Sequence, residues 1–395
     1  MVTPLSQRTA RWGQATGSVM QFILQSEYSR RKDDPNIADF VVGNPHEMPL
    51  PAFVDALQRW SVPQNKNWFA YTINERPAQE AVVQTLRQLH GLPFEPDDVC
   101  LTTGAFGALS IALTAVTDPG DEVIFNSPPW FFYEGMIAAL GDQPVRVRVN
   151  PATFDLDLDA IAGAITPRTR AIIVNSPNNP TGRIYPPDTL RALARILTEA
   201  SERHGRPIYL FSDEAYKRIL YDGADFHSPA EYYPNTLMIY TYGKTLLTPG
   251  QRVGYIALPP AMPEREAMRL SILSAQMIGG HQFPNALLQH ALPDLEKLSI
   301  DVEHLQAKRD RLLAGLRAVG YDVHTPEGTF YLLPRSPIPN DLAFIRALAA
   351  YDVFCLPGAA VEMPGYFRIS MTASDAMIDR GLPGFEKAYR QAAAG

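Results

Sequence analysis

Only two cysteines, Cys100 and Cys355, occur in 395 residues. Two thiols cannot build a disulfide framework, and each lies in an apolar run where a reduced, buried side chain is expected. The chain has no run of 18 apolar residues, so no membrane span is expected. Its first residues show no apolar stretch followed by a small-residue cleavage site, which points to a cytoplasmic protein. Charge of one sign is not concentrated anywhere. The chain carries 42 acidic and 35 basic side chains, a net charge of −7, and the short run Arg30-Arg31-Lys32 is answered at once by Asp33-Asp34. That leaves no electrostatic footprint for a phosphate backbone, and nucleic acid is not an expected partner. The eight histidines are dispersed, without His-x3-His or His-Glu-x-x-His, so no metal site is expected. Neither a P-loop nor a Gly-x-Gly-x-x-Gly fingerprint occurs, which removes most support for a nucleotide cofactor.

What is present excludes disorder: 46% of residues are hydrophobic, and a chain of this length suggests two or three lobes. The 35 prolines are scattered as turn punctuation among periodic segments. Short β-rich runs alternate with helical patterns at Val99-Leu101, Glu122-Asn126, Val145-Val149, Ala171-Asn175, Ile208-Ser212, Leu237-Thr241 and Val253-Ala257. Several are apolar without alternation, as in strands covered on both faces, so the fold class is α/β with a mostly parallel seven-stranded sheet sandwiched by helices. Asp188 to His204 reads as a crossover helix stopped by Gly205. Beyond Pro284, the spacing of Leu295, Leu298, Val302, Leu305, Leu312 and Leu316 predicts one long amphipathic helix joining two lobes that meet near residue 290. The strands Thr329-Leu333, Val353-Leu356 and Tyr366-Ser370 then predict a smaller α+β unit.

Polar residues collect at the ends of the expected strands. Thr102 to Gly107 follows a strand and opens a helix, so its N–H groups suit a phosphate, although a glycine turn with threonine capping reads the same. Asn175 to Gly182 packs prolines and asparagines into a fixed turn at a strand end, where α/β sheets place binding loops. Asp213 and Glu214, with Tyr216 close by, put a carboxylate at the sheet mouth, either as a helix cap or as a partner for a protonated heterocyclic nitrogen. Lys244 ends the next strand among glycines that permit close approach, and a desolvated amine there is nucleophilic toward an aldehyde; Arg252 beyond it suits a phosphate. Arg368, inside a strand, needs a carboxylate, from a salt bridge or a ligand.

The set Asn-Ser-Pro-Asn-Asn-Pro-Thr-Gly, Ser-Asp-Glu-Ala-Tyr, Gly-Lys, Gly-x-Arg-x-Gly and Phe-Arg-Ile-Ser resembles the class I/II aminotransferases of fold type I, which use pyridoxal 5'-phosphate. The resemblance runs from Gly43 to Arg368. It implies a cofactor-binding large domain over 52–290 and a small α+β domain built from both termini, 1–51 and 291–395. It implies that Lys244 forms the Schiff base and moves the proton, that Asp213 pairs with the pyridinium nitrogen, and that Tyr216 and Asn179 donate to the phenolic oxygen. Trp130 stacks on the ring by the same likeness, and Gly104, Ala105, Phe106, Thr241 and Arg252 hold the phosphate. Arg368 forks onto the substrate carboxylate beside Gly43, and Tyr71 reaches the phosphate of a neighbouring subunit, so a homodimer with shared sites is implied. Two departures touch the substrate side: Gly243 replaces the serine common before the lysine, and Pro357-Gly358-Ala359-Ala360 lacks the usual Phe-Gly.

The expected reaction moves an amino group from an L-amino acid to a 2-oxo acid. A lyase, a synthase or an oxidase on the same cofactor is an alternative, as is a non-catalytic binding protein, because fold and cofactor do not fix which bond breaks. Arg76 suggests an acidic substrate, whereas Phe22, Trp68, Phe131 and Phe132 suggest an aromatic pocket, and the sequence leaves both open.

Overall fold

Apolar runs become buried strands here, and the amphipathic runs between them become the helices that cover those strands. In the computed structural model, which describes residues 6–394, the chain opens with helices α1 (Gln7–Gln25) and α2 (Glu27–Arg31), strand β1 (Ala38–Phe40), and helices α3 (Pro51–Trp60) and α4 (Arg76–His90). Strand and helix then alternate: β2 (Val99–Thr102), α5 (Gly104–Val116), β3 (Glu122–Ser127), α6 (Tyr133–Leu140), β4 (Gln143–Arg148), α7 (Leu158–Ala164), β5 (Thr169–Asn175), α8 (Pro187–His204) and β6 (Tyr209–Asp213). Next come β7 (Thr236–Thr241), the single turn α9 (Tyr242–Thr245), β8 (Gly254–Ala257), α10 (Arg265–Ile278) and α11 (Ala286–Leu295). The remaining elements are α12 (Val302–Val319), β9 (Tyr331–Leu332), α13 (Asp341–Ala349), β10 (Val353–Pro357), β11 (Phe367–Ser370) and α14 (Asp375–Ala394).

All seven expected strands are present in one sheet, ordered β2-β8-β7-β6-β5-β3-β4. Its pairs are parallel except those of β8, which runs antiparallel to both neighbours. Strands β3, β7 and β8 are buried throughout. Side chains such as Phe125, Phe211 and Ile239 pack on one face, and Ile124, Val174 and Leu210 on the other, which is why these strands lack polar alternation. Register brings Asn175 beside Asp213, and Asp213 beside Ile239 just ahead of Thr241. The carboxyl ends of β5, β6 and β7 therefore open onto one place, the usual location of a ligand cleft in such sheets.

A second sheet has the order β1-β10-β11-β9, and Phe40, Phe344, Phe367 and Phe385 pack against it with α12 and α14. Within the N-terminal segment, β1 pairs with β10, while α1 lies on α6 with Trp12 stacked on Phe132 at 5.4 Å. The long helix expected across Leu295 to Leu316 is instead two helices, α11 and α12, separated by residues 296–301. Tertiary partners interrupt it. The Glu296 carboxylate is drawn to Arg218 and Tyr242, Ile300 N donates to Thr245 O at 2.8 Å, and Asp301 accepts from His304 N to start a new helix. As a result α11 packs on α3 and α4, and α12 on α14.

Candidate active site

The cleft beyond β5, β6 and β7 encloses a cavity of about 250 Å³. From the large sheet and its helices come Ala105, Phe106, Trp130, Asn179, Asp213, Tyr216, Thr241, Lys244 and Arg252, and from the opposite wall Gly43 and Arg368. Gly104 stands immediately behind Arg252. Tyr71 alone among the candidate residues lies elsewhere: it is 87% exposed, with its ring against Phe283 at 4.9 Å.

One end of the cavity gathers positive groups without protein partners. Helix α5 begins at Gly104 with no side-chain cap, so its first N–H groups and the positive end of its dipole are unanswered by protein. Gly104 has φ +81°, and a Cβ there would lie 2.9 Å from Arg252 Nη2 and 3.3 Å from Thr241 Oγ1. Only glycine lets the helix start this close to the guanidinium. Arg252 donates to Pro249 O at 2.7 Å and has no carboxylate partner among the described residues.

The middle of the cavity holds opposite charges at either side. Asp213, the last residue of β6, accepts hydrogen bonds from the Tyr133 hydroxyl and from Ala215 N. Burial pushes its carboxyl up to about 6, against the lowering effect of Tyr133, Ala215 and Lys244. Asn175 Nδ2 donates to the Asp213 carbonyl at 2.9 Å, and Asn175 Oδ1 accepts from Asn179 N at 2.7 Å. Thr181 donates to Asn178 Oδ1 through both N and Oγ1. These bonds knit residues 175–181 into the fixed turn that its composition predicts. Lys244, on the single turn α9 capped by Thr241, lies 5.8 Å from the Tyr216 ring centre and 5.6 Å from that of Phe330. Trp130 meets Phe106 and Tyr133 edge-on, at 5.2 and 5.5 Å.

The far wall carries Arg368, only 3% exposed. It donates to Asn179 Oδ1 at 3.0 Å and to Val41 O at 3.1 Å, its Cζ lies 4.0 Å from the Tyr331 ring centre, and its Nε has no partner. A buried guanidinium with an unmet donor and no carboxylate suits an incoming carboxylate. Gly43 passes so close that a Cβ would sit 2.5 Å from the Tyr331 hydroxyl. The Tyr216 and Tyr331 phenols interact. Burial raises Tyr216 well above the usual phenol range, whereas Arg368 and Lys244 outweigh burial at Tyr331 and hold it below.

Sequence reasoning missed Tyr133 and Tyr331, whereas Asn175 opens the turn that its composition singles out. Tyr133 stands three residues after Trp130, a helical spacing that would place both toward Asp213, and Tyr331 leads an apolar strand indistinguishable from core. Two of the four aromatics named for a pocket, Phe131 and Phe132, line the cavity. Phe22 stacks on Tyr28 instead, and Trp68 on His290 at 3.7 Å. Arg76 is engaged by Glu80 and Asp97 at the surface. Glu47, His304 and Asp375 approach one another on the exterior, but Lys308 occupies Glu47 and Arg311 faces Asp375, so this is a surface ion-pair network.

Residues 35–384 match the family model described as aminotransferase class I and II. The chain is 32% identical over 366 residues to a probable aspartate/prephenate aminotransferase of Thermus aquaticus, covering 91% of this chain and 93% of that one. It is 32% identical over 370 residues to the aspartate/prephenate aminotransferase of Thermus thermophilus, covering 92% and 93%. An aminotransferase structure from Eubacterium rectale superposes with a TM-score of 0.90 at 29% identity, covering 98% and 99% of the two chains. The aspartate aminotransferase of Thermus thermophilus, in a single-mutant form, gives 0.83 at 29%, covering 98% and 100%. With the cleft, its anion end and its isolated amine in the same places as the motifs, this chain belongs to the class I and II aminotransferases and is a pyridoxal-phosphate-dependent enzyme of that family.

Proposed function

We propose that pyridoxal 5'-phosphate binds in this cavity and that an L-amino acid and a 2-oxo acid exchange an amino group there. The observation that carries this reading is electrostatic. Lys244, Asp213, Arg252 and Arg368 face one cavity, and among the described residues none of the four makes an ion pair. Asp213 and Arg368 are buried and Lys244 is half-buried, and charges held out of bulk water are paired unless a ligand completes them.

The uncapped start of α5, at Gly104, Ala105 and Phe106, with Thr241 and Arg252, suits the phosphate dianion. Asp213 suits the ring nitrogen, since a carboxylate and a protonated pyridine favour each other's charged forms. Asn179 and Tyr216 can donate to the phenolic oxygen, and Trp130 offers an aromatic surface to the ring. When bound, the cofactor supplies an electron sink for negative charge developing at the donor's Cα. The chain supplies position and proton movement. Arg368, beside Gly43, receives the α-carboxylate through two parallel hydrogen bonds and holds Cα within reach of Lys244. As the neutral amine, Lys244 Nζ would take the proton from that carbon and keep it for return. Tyr331 and Phe330 form a wall that limits water.

Tyr71 and Phe283 pair their exposed rings, and Leu270 and Ile278 of α10 are exposed apolar groups as well. They suit burial against a second copy, with Tyr71 reaching that copy's site in a homodimer. Two free thiols suit a cytoplasmic location. Reduction of the reconstituted enzyme with borohydride, followed by peptide mass mapping, tests the central assignment. The cofactor mass is expected on the peptide holding Lys244; its recovery on another lysine refutes the site.

A further inference from the structure

Resting on that reading of the cavity, we propose that Tyr331 is a further catalytic residue, the base that takes the ammonium proton from the amino acid entering the site. The place of its side chain follows from strand register. Tyr331 of β9 is opposite Ser370 of β11, and Arg368, two residues earlier on the same face of β11, becomes its diagonal neighbour. The guanidinium carbon accordingly lies 4.0 Å from the Tyr331 ring centre. The chain also passes close by at Gly43, where a Cβ would stand 2.5 Å from the Tyr331 hydroxyl. Gly43, Tyr331 and Arg368 all line the cavity. A carboxylate docked on Arg368 carries its own ammonium group one carbon away, within reach of that hydroxyl.

The surroundings favour an ionised oxygen at this position. The charged and titratable groups facing Tyr331 are Arg368 of β11, Lys244 of α9 and Tyr216 beyond β6. Two of them are cations, and they hold the phenol below its ordinary range in spite of burial. The rings of Tyr216 and Tyr331 stand 6.0 Å apart. Two neighbouring phenols resist ionising together, and burial keeps the proton on Tyr216, so the first ionisation belongs to Tyr331. Near neutral pH an amino acid arrives as its ammonium form, and only the free amine has the electron pair that bonding to an aldehyde carbon requires. The proton passes from nitrogen to the Tyr331 oxygen: one N–H bond breaks, one O–H bond forms, and the electron pair stays on nitrogen. The incoming carboxylate also cancels the field of Arg368, so the phenolate becomes a stronger base as the ammonium reaches it. Tyr331 thereby acts on the amine, and Lys244 acts later on Cα.

The first test needs neither donor nor turnover. In the cofactor-free protein, near-ultraviolet phenolate absorbance is followed against pH for the parent and for Tyr331→Phe, which keeps the ring beside Arg368. The parent is expected to show one additional phenol that titrates below the ordinary value of about 10. Arg368→Leu and Lys244→Met leave Tyr331 in place, and each should move that titration upward. Absence of the additional phenol, or a titration that neither variant moves, overturns the proposal. The second test uses the holoenzyme and the single-turnover change in its visible absorbance with L-aspartate, L-phenylalanine or L-alanine, whichever reacts fastest. Tyr331→Phe should lower the second-order rate constant about a hundredfold at pH 7, and the deficit should fade as pH rises toward 10, where solution already supplies the free amine. Binding of the matching deaminated acid, succinate, 3-phenylpropanoate or propionate, should change less than about threefold, since Arg368 keeps its aromatic neighbour. A deficit independent of pH, or a loss of analogue binding as large as the loss of rate, makes Tyr331 a structural residue and overturns the proposal while leaving the aminotransferase reading intact. Cofactor fixed on a lysine other than Lys244 refutes that reading instead, whatever the phenol titration shows.

Discussion

Asp213 and Glu214 are adjacent at the end of β6, and their surroundings are opposite. Glu214 is wholly buried and saturated: Ser212, Ser228 and Lys217 all donate to it, and the Lys217 ammonium lies over the rings of Tyr240 and Tyr255 at 5.0 and 5.6 Å. Asp213 faces the cavity with one tyrosine and one backbone donor, opposite an amine that has no carboxylate contact. The same contrast separates Arg218, paired with Glu296 beneath α9, from Arg368, which has no acid. Charges the protein satisfies itself hold the scaffold in place, and charges it leaves open mark where a ligand belongs.

Removing one charge from each set tests that division. Glu214→Leu leaves Lys217 buried and alone, and is expected to cost about 3–5 kcal/mol of stability. Adding Lys217→Met should recover most of the loss, as urea denaturation of both variants will show. Arg368→Leu should behave in the opposite way. It removes an unsatisfied group, so stability is expected to hold or rise, while kcat/KM for the amino donor falls roughly 10²–10³-fold. If Arg368→Leu unfolds the protein as readily as Glu214→Leu does, the two sets are not different in kind.

The open set was the part legible from the sequence. Asp213 ends an apolar strand, Arg368 interrupts one, and Lys244 and Arg252 stand in the short connection between β7 and β8, where a charge is costly without a purpose; several of the seven strands announce themselves through runs rich in Val, Ile and Leu. The satisfied set was not legible, because its partners meet only in the fold: nothing near Glu296 in the chain indicates Arg218 or Tyr242. That same contact ends α11, so Leu295 and Leu298 keep helical spacing across a break the spacing cannot reveal. Tyr133 and Tyr331 were hidden for a simpler reason, since an aromatic residue in an apolar segment reads as core until a hydroxyl partner is seen.

A pH series on the cofactor-free protein sharpens the contrast at Asp213 itself. Its carboxyl titrates near 6 when folded, against 3.8 in an unfolded chain. The folded state therefore holds the proton more tightly, and stability is lost as pH rises from about 4 through 6. Two units correspond to about 3 kcal/mol. Asp213→Asn abolishes this titration, so the variant should exceed the parent in thermal stability at pH 8 by up to that amount. The advantage should fade toward pH 4, and an advantage independent of pH contradicts the assignment.

Tyr133→Phe probes the smaller effect of the single hydroxyl that steadies this carboxylate. The hydrogen bond favours the ionised form, so its loss should move the Asp213 titration further upward, by about one unit, and destabilise the cofactor-free protein at pH 8 by about 1–2 kcal/mol. Below pH 5 the carboxyl is protonated in both proteins, and most of the difference should vanish. In the Asp213→Asn background the same substitution should matter less at every pH, because a neutral amide draws less from the phenol. A cycle of the four proteins at pH 8 and pH 5 reads the coupling directly. Zero coupling at pH 8 would mean that Tyr133 packs beside Asp213 without setting its charge, and that the carboxylate facing the cavity is less protected than its geometry shows.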